Sequence, residues 1–551
     1  MPSYYVRGNQ WARFPMAVKF HPPWFDPERP SRENGVLPFV IERNAREVPE
    51  KTAFRFDTGE VWSYRNVLEK TRETAALLAS HGVNYGDLVV VWLPSGPDII
   101  RTWFALNYLG AVFVPLNLDY RGNILHHVIS ETKAKLMVAH PKLVSRLSDI
   151  NCTSLEKVLV VGDVDGETSV TAKIVGSSLE GTGNVSEPAE VNFWDPQMVI
   201  FTSGTTGPSK GVICPYLHQY RVGQCSYGYL TANDCMMIDL PMFHVGGVSS
   251  VIGAICKKTK IALYSGFSTN DFWDRIRENN VTTVSGIIGA MAAFLHKTPE
   301  SKADADNSLE MVTLMLNDQA IAIADRFRFN YVSGFNMSEV AVPLLTGINC
   351  RVPGSCGVPR TGVEARIVDE HDIECATGVA GELIVRFDHP WETFSGYLNN
   401  PAATAEAWRN GWFHTGDLVR RDHDGNFFFV DRLKDAVRRR GENISSLEVE
   451  SEIIGYPPII EVAVVGVASE HGEEEILAAV AGERIEPREL TEYLVTRVPH
   501  YMVPRYIRVV DSLPKTPTNK IQKYVLRSEG VTEDTWDREA AGIVLKRTKL
   551  K

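Results

Sequence analysis

Between about residues 53 and 263, short apolar runs alternate with stretches of helical periodicity. That alternation confines the chain to an α/β layered fold built on parallel sheets. Leu88-Val89-Val90-Val91-Trp92-Leu93 is apolar at every position, as a strand covered on both faces must be. Residues 97–109 follow with Ile100, Phe104 and Tyr108 at helical spacing, and 111–114 are extended again. Residues 198–201, 236–240, 261–264 and 282–284 read as further strands, with a charged helix over 271–279.

The pattern changes after Gly354. Short strands at 364–368 and 381–386, separated by Gly-containing turns, predict a β-rich subdomain ending at Phe427-Phe428-Phe429-Val430. A charged stretch over 431–442 follows, and we place a domain boundary near 431–434. Beyond it, Ser445-x-x-Glu448 is a capping-box signal for a helix opening near Leu447. Residues 460–467 and 476–481 read as strands, 489–497 as a helix, and the last twenty or so as a surface helix with a basic end.

The chain's 551 residues fit three or four structural units of roughly 100–200 residues. Lys and Arg number 57 against 68 Asp and Glu, a net charge of −11, which argues against general nucleic-acid binding. The run Val245–Cys256 is the nearest to a membrane span, and it falls short of the roughly 18–20 apolar residues required. It reads as a buried element. The amino terminus lacks the apolar core of a secretory signal, and the ending KRTKLK is no peroxisomal address. Eight cysteines with no C-x-x-C pair predict reduced thiols in a cytoplasmic enzyme.

The strongest chemical signal is Thr202-Ser203-Gly204-Thr205-Thr206-Gly207-Pro208-Ser209-Lys210-Gly211, placed directly after a predicted strand. Glycines allow a tight turn whose N–H groups can face an anion, and the hydroxyls and the Lys210 ammonium add donors for phosphate oxygens. The Walker pattern does not fit, since Lys210 lies between Ser209 and Gly211. Neither a G-x-S-x-G elbow nor a G-x-G-x-x-G dinucleotide loop is present.

This loop resembles the phosphate-binding signature of the adenylate-forming superfamily, which includes acyl-CoA synthetases, peptide-synthetase adenylation domains and luciferases. Five further segments resemble that superfamily's motifs, in its order. They are Phe243-His244, then Phe335-Asn336-Met337-Ser338-Glu339, then Trp412 to Asp417. Asp431-Arg432-Leu433-Lys434-Asp435 with Arg440-Gly441-Glu442 comes next, and Pro514 to Ile521 closes the series. The resemblance covers roughly residues 49–523. It implies a large AMP-binding amino-terminal domain over 1–431, with two α/β sheet subdomains and the β-rich one over about 354–431. A hinge at 432–434 then leads to a small mobile α+β lid over 435–530, and 531–551 form a tail.

The resemblance also implies roles. Thr202, Ser203, Gly204, Thr205, Thr206 and Lys210 would hold the ATP phosphates, with Ser338 near the α-phosphate. Glu339 would bind Mg²⁺, a hard cation suited to carboxylate and phosphate oxygens. Asp417 would accept the ribose hydroxyls, Arg432 would add a contact to ribose or phosphate, and Phe335 would face adenine beside Asn317 and Asn336. Lys520 would touch both the substrate carboxylate and the α-phosphate. His244 would sit near the carboxylate and open the thiol path. Lys434 would be the hinge, and Arg439, Arg440 and Gly441, with Arg438, would meet coenzyme A. The acyl pocket would be lined by His244, Gly246, Gly247, Ile287, Gly289 and Asn336, with Met291. That set is small or apolar, which favours a bulky alicyclic, aromatic or branched acid, and it offers no obvious acid to pair with a quaternary ammonium.

The segment Leu314-Met315-Leu316-Asn317-Asp318-Gln319-Ala320 departs from the family's glycine-rich adenine turn. It resembles the carnitine/crotonobetaine-CoA ligase branch. Asn519 also stands where the family has glycine before the catalytic lysine. The expected activity is an acid–CoA ligation through an acyl-adenylate, with ATP, Mg²⁺ and coenzyme A. Transfer of the acyl group to an amine, or nucleotide binding without catalysis, are the alternatives. A homodimer is left open. Lys520→Ala is expected to slow acyl-adenylate formation by about 10²–10³-fold while sparing thioester formation from preformed acyl-AMP. Separate assays of the two half-reactions check this, and an equal fall in both would remove the assignment.

Overall fold

The run Leu88–Trp92 forms a covered strand at the middle of an eight-stranded sheet. The computed structural model describes residues 19–162, 172–181, 183, 185–202, 209–287, 289–432, 437–439, 442–444, 446–469, 474–514, 521 and 523–545. No helix among the described residues is long and apolar enough to cross a membrane.

From one edge the eight strands are Gly396–Tyr397, Lys210–Pro215, Pro196–Thr202, Val112–Pro115, Leu88–Trp92, Leu136–Ala139, Lys157–Val161 and Lys173–Ser177. The last six run parallel, and Pro196–Thr202 turns back on Lys210–Pro215 as an antiparallel hairpin. Helix Pro97–Tyr108 covers the sheet, with Pro at its first position where a missing N–H costs nothing. Its Trp103 stacks on strand residue Phe113 at 5.2 Å between ring centres. A second sheet has the order Thr283–Val284, Cys235–Ile238, Lys260–Leu263, Thr52–Phe56 and Val61–Ser63. Its strands alternate with the buried helix Val245–Cys256 and the charged helix Phe272–Asn279.

The third sheet is antiparallel and seven-stranded: Gly334–Met337, Val340–Leu345, Ser355–Pro359, Phe427–Arg432, Phe413–Arg421, Gly381–Phe387 and Val363–Val368. It recruits its first two strands from ahead of Gly354, where the β-rich region was expected to begin. Val340–Leu345 is buried at all six positions, so it lacks the alternation that marks an antiparallel strand. After Arg432 sheet membership changes. Val437–Arg439 pairs with Glu442–Ile444, and Ile459–Ala468, Glu474–Gly482, Tyr506–Val509 and Trp536–Asp537 make a separate four-stranded sheet.

That last strand corrects the expectation of a surface helix at the carboxy terminus. Ile507 pairs with Trp536 and Tyr506 with Asp537, and Arg538 is buried. Its guanidinium donates to the carbonyls of Pro504 at 3.2 Å and Ile543 at 2.6 Å. A charge satisfied by backbone carbonyls looks like surface charge in a composition. Of the expected capping-box pair only Glu448 is described. Ser445 lies outside the described residues, and Glu448, in helix Ser446–Ile453, accepts a hydrogen bond from Ser209 Oγ.

The main body is tied together at one buried carboxylate. Glu392 accepts from Arg221 Nε at 2.7 Å and from Arg360 Nη2 at 3.0 Å, with all three side chains essentially inaccessible. Arg221 lies on helix Tyr216–Tyr227 and also donates to the carbonyls of Asp26 and Pro27. Arg360 donates to Ala341 and Val342 of the seven-stranded sheet. Glu392→Ala leaves two buried guanidiniums without their counter-charge and is expected to cost about 3–5 kcal/mol. Removing the exposed partner Asp325 from Arg351 is expected to cost under about 1 kcal/mol. Urea midpoints of the two variants check the contrast, and equal shifts would contradict it.

Candidate functional site

The strand ends of one hairpin, the tip of another and one edge strand meet at the candidate active site. The first hairpin joins Pro196–Thr202 to Lys210–Pro215, with Thr202 directly opposite Lys210. The residues between them, 203–208, carry the phosphate-loop glycines and hydroxyls and lie outside the described residues. What the hairpin establishes is the position of the loop's two ends, at the carboxyl end of a buried parallel strand. In open α/β sheets that edge is where ligands bind.

The second hairpin joins Gly334–Met337 to Val340–Leu345, and Ser338-Glu339 is its two-residue tip. Glu339 is 6 % exposed, and its backbone carbonyl accepts from Phe394 N at 2.8 Å. Its carboxylate Oε1 accepts from the Tyr397 hydroxyl at 2.9 Å. Tyr397 itself sits on the edge strand Gly396–Tyr397, opposite Val212 of the first hairpin. Its ring lies under the Lys210 ammonium, 4.7 Å from ring centre to Nζ. One tyrosine therefore joins the phosphate-loop lysine of one sheet to the carboxylate of another.

Tyr397 lies in none of the sequence motifs. Its local signal is small: Gly396, held at φ +141°, precedes it, and a helix with Asn400 as N-cap and Pro401 at its first position follows. The pairing that gives it meaning is with a strand almost two hundred positions earlier.

The segment ending in Asp417 is built by its neighbours. Thr415 Oγ1 donates to Leu383 O at 2.7 Å and accepts from Asp417 N at 3.1 Å, while Gly416 takes φ +71°, a conformation natural to glycine. Glu382 accepts from Gly416 N at 3.0 Å, and its other oxygen meets His414 Nδ1 and Arg409 Nη2, each at 2.9 Å. Asp417 is 2 % exposed and stands opposite Arg432 in the register of Phe413–Arg421 with Phe427–Arg432. Two residues fifteen apart in sequence thus face each other across one ladder. Glu382 is the supporting residue that sequence reasoning passed over.

The other expected site residues fall as follows. Phe335 is buried in the strand leading to the Glu339 tip, and Ser338 is half-buried at the tip. Asn336 is exposed, and its Oδ1 accepts from Val342 N at 3.1 Å across a bulge. Asn317 caps helix Asp318–Phe327 by accepting from Ala320 N at 2.7 Å, so the departing turn is a strand-to-helix corner. His244 is the N-cap residue of helix Val245–Cys256, its ring 4.7 Å from that of Phe243. Gly246 and Gly247 form the first turn of that helix, where a Cβ on Gly247 would come within 2.2 Å of Pro241 O. Ile287 is buried and bridges to Leu314, Met291 is buried, and Gly289 opens helix Gly289–His296.

Arg439 departs from expectation. It is 1 % exposed, with Nη1 donating to Tyr501 O at 2.7 Å and Val503 O at 3.1 Å, and Nε 2.7 Å from Glu475. A guanidinium so engaged braces the carboxy-terminal domain and does not face a ligand. Lys434, Arg440, Gly441 and Lys520 lie outside the described residues.

The carboxy-terminal domain touches the main body at Asn117, Asp119 and Ser209. Asn117 donates to the Tyr501 hydroxyl at 2.7 Å, His500 lies 3.8 Å from Asp119, and Ser209 bonds Glu448. Burial raises the Glu448 carboxyl above its ordinary range, which the Ser209 bond opposes in part. Among the described residues no group of three or more His, Cys, Asp or Glu could hold a metal ion. A buried single carboxylate does suit Mg²⁺, which commonly takes one or two protein carboxylates and completes its shell with phosphate and water.

With this geometry in hand, the comparisons are direct. Residues 41–398 match the AMP-binding enzyme family and residues 448–520 match the AMP-binding enzyme C-terminal domain. The crotonobetaine/carnitine–CoA ligase of Salmonella paratyphi B is 28% identical over 502 residues, covering 87% of this chain and 96% of its own. The feruloyl-CoA synthase of an Amycolatopsis species is 30% identical over 499 residues, covering 88% and 97%. Among solved structures, o-succinylbenzoate CoA synthetase of Bacillus subtilis superposes with a TM-score of 0.76 at 22% identity, covering 90% of this chain and 99% of that one. The amide bond synthetase McbA of Marinactinospora thermotolerans superposes at 0.74 with 23% identity, covering 89% and 99%. The class so defined is that of the AMP-forming acid–thiol ligases. The chain belongs to the AMP-binding enzyme family, the adenylate-forming enzymes.

Tyr397→Phe removes the hydroxyl that holds Glu339 while keeping the ring beneath Lys210. A hydrogen bond to a charged group is worth about 1.5–3 kcal/mol, so adenylation is expected to fall roughly 10–100-fold and to need more Mg²⁺. Initial rates of pyrophosphate release across a Mg²⁺ series check this, and an unchanged rate and Mg²⁺ dependence would contradict it.

Proposed function

We propose that the protein joins a carboxylic acid to coenzyme A at the expense of ATP, through an acyl-adenylate held in the site. The observation that supports this most is the convergence of Lys210, Tyr397 and Glu339 from two different sheets. Adenylation brings a carboxylate against a triphosphate, and fixed cations and donors must offset that repulsion without reorganising. In this reading Lys210 and the loop after Thr202 hold the β- and γ-phosphates, and Ser338 lies by the α-phosphate. Asp417 and Arg432 take the ribose, and Phe335, with Asn317 and Asn336, borders adenine. Glu339 holds Mg²⁺, which when bound neutralises charge on the phosphates.

The acid's carboxylate oxygen attacks the α-phosphorus, and pyrophosphate leaves with the electron pair of the broken P–O bond. Lys520, brought by the carboxy-terminal domain, steadies the charge passing between the two anions. In the second step the thiolate of coenzyme A attacks the acyl carbonyl carbon, and AMP departs. His244 lies where that path would open, and the domain swings about Lys434 between steps. Contacts to coenzyme A are assigned to Arg440 and Gly441, since Arg439 is engaged within its own domain. The acid is expected to be bulky, in a pocket of His244, Gly246, Gly247, Ile287, Gly289, Met291 and Asn336.

The test is turnover of a panel of aromatic, alicyclic, branched and betaine acids, read as pyrophosphate and as product mass. The expected result is AMP and an acyl-CoA thioester, with multiple turnovers only when coenzyme A is present. Turnover that ignores coenzyme A and requires an amine would replace this reading with amide synthesis. Nucleotide binding with no pyrophosphate from any acid would remove the enzyme reading.

A further inference from the structure

One buried carboxylate in the amino-terminal part has no place in the chemistry above. Asp239 directly follows strand Cys235–Ile238 and is 3 % exposed. One oxygen, Oδ1, accepts from Ser285 Oγ at 3.2 Å, and Oδ2 has no hydrogen-bond partner among the described residues. Leaving a charged acceptor buried and unsatisfied is costly, so such a group calls for an explanation.

Its position supplies one. Strand Cys235–Ile238 lies between Thr283–Val284 and Lys260–Leu263. The chain leaves it toward Lys260–Leu263 through helix Val245–Cys256, then crosses through helix Phe272–Asn279 to the strand on its other side. The crevice outside the carboxyl ends of strands at such a reversal is the usual ligand site of an α/β sheet. Asp239 and Ser285 occupy the first positions past two adjacent strands there. Side chains alternate along a strand: Cys235 and Met237 pack with Ile287 and Met291, whereas Met236 and Ile238 belong to the opposite core. Asp239 therefore continues the face that carries Ile287 and Met291. Ser285 is linked onward, since its carbonyl accepts from the Tyr227 hydroxyl, which accepts from Ser250 Oγ at 3.0 Å. Ser250 Oγ shares its one proton between Tyr227 Oη and Gly246 O, the latter 2.6 Å away. The polar chain from Asp239 thus ends at the helix turn assigned to the acyl pocket.

We infer that Asp239 and Ser285 form a polar floor to the acyl pocket, selecting acids that carry a hydrogen-bond donor, a hydroxyl or a protonated amine, at the end remote from the reacting carboxylate. This rests on the ligase reading and narrows it. A quaternary ammonium offers no N–H to the vacant oxygen and is disfavoured against a primary amine. The charged and titratable groups facing Asp239 are Arg275, from helix Phe272–Asn279, and Tyr227, from helix Tyr216–Tyr227. Arg275 is occupied elsewhere, donating to Gly266 O at 2.9 Å and lying 4.2 Å over the Tyr264 ring. Burial pushes the Asp239 carboxyl up to about 6, against the opposing bond from Ser285. It is ionised at neutral pH and neutral in mild acid.

The experiment compares matched aromatic and alicyclic acids bearing hydrogen, hydroxyl, aminomethyl or trimethylammonium at the remote end, in the wild type and in Asp239→Asn. Pyrophosphate release gives kcat and KM. In the wild type the hydroxyl or aminomethyl acid is expected to show a KM about tenfold or more below its unsubstituted partner, the gain of one hydrogen bond to a charge. Asp239→Asn still accepts from Ser285, so the fold is kept. It is expected to erase the amine preference, so that KM of the aminomethyl acid converges with that of its unsubstituted partner. For the aminomethyl acid, KM should rise as pH falls through about 6, because protonation removes the counter-charge. The hydroxyl acid should show little such dependence, which separates the two donor types.

Equal losses for every acid in Asp239→Asn would assign the residue a purely structural role and overturn the inference. So would turnover of many acids with no preference for a remote donor, and in that case the ligase reading would stand. Failure of every acid to release pyrophosphate would remove both.

Discussion

The account depends on electrostatics between two negative reactants. A carboxylate and a triphosphate must come within bonding distance, and water would screen them only by keeping them apart. The protein answers with groups fixed before either arrives. The hairpin carrying Lys210 ends one sheet, the tip carrying Glu339 ends another, and Tyr397 bridges them through a 2.9 Å hydrogen bond and a 4.7 Å cation–ring contact. Because Ile200 and Val212 of one sheet pack in the same core as Val340 and Leu344 of the other, their separation is set by packing and not by a flexible loop.

The same reliance on fixed elements recurs around the site. Glu382 holds the turn before Asp417 by accepting from Gly416, His414 and Arg409, and the ladder then sets Asp417 across from Arg432. Glu392 joins helix Tyr216–Tyr227 to the seven-stranded sheet through two buried arginines, so the sheet bearing Glu339 cannot drift from the body bearing Lys210. The carboxy-terminal domain is joined by fewer and more polar contacts: Asn117 with Tyr501, Asp119 near His500, and Ser209 with Glu448. Polar contacts of this kind can be exchanged for water, which is consistent with the domain swing proposed between the two steps.

Much of this was legible in the residues. The continuous apolar run at Leu88 was read close to its observed limits because a strongly patterned segment leaves few alternatives, whereas 245–256 was read as buried but not as the helix it forms. The hairpin that carries Thr202 opposite Lys210 was legible at its first strand, while residues 203–208 lie outside the described residues. What escaped depends on pairing across long separations. Tyr397 has meaning only beside Val212, and Arg538 is hidden by carbonyls of Pro504 and Ile543. Arg439 was expected to meet coenzyme A beside two other arginines, yet alternation in a three-residue strand turned it inward onto Tyr501 and Val503. The bond from Ser209 to Glu448 likewise joins residues 239 positions apart.

The central claim is that the triphosphate and the acid react where Lys210 and Glu339 converge, before any thiol is needed. Acid-dependent exchange of labelled pyrophosphate into ATP, measured without coenzyme A, addresses it most directly. The account predicts exchange in the wild type with at least one acid of the panel, and its loss in both Lys210→Ala and Glu339→Gln with the fold intact. Exchange that persists in both variants would contradict it.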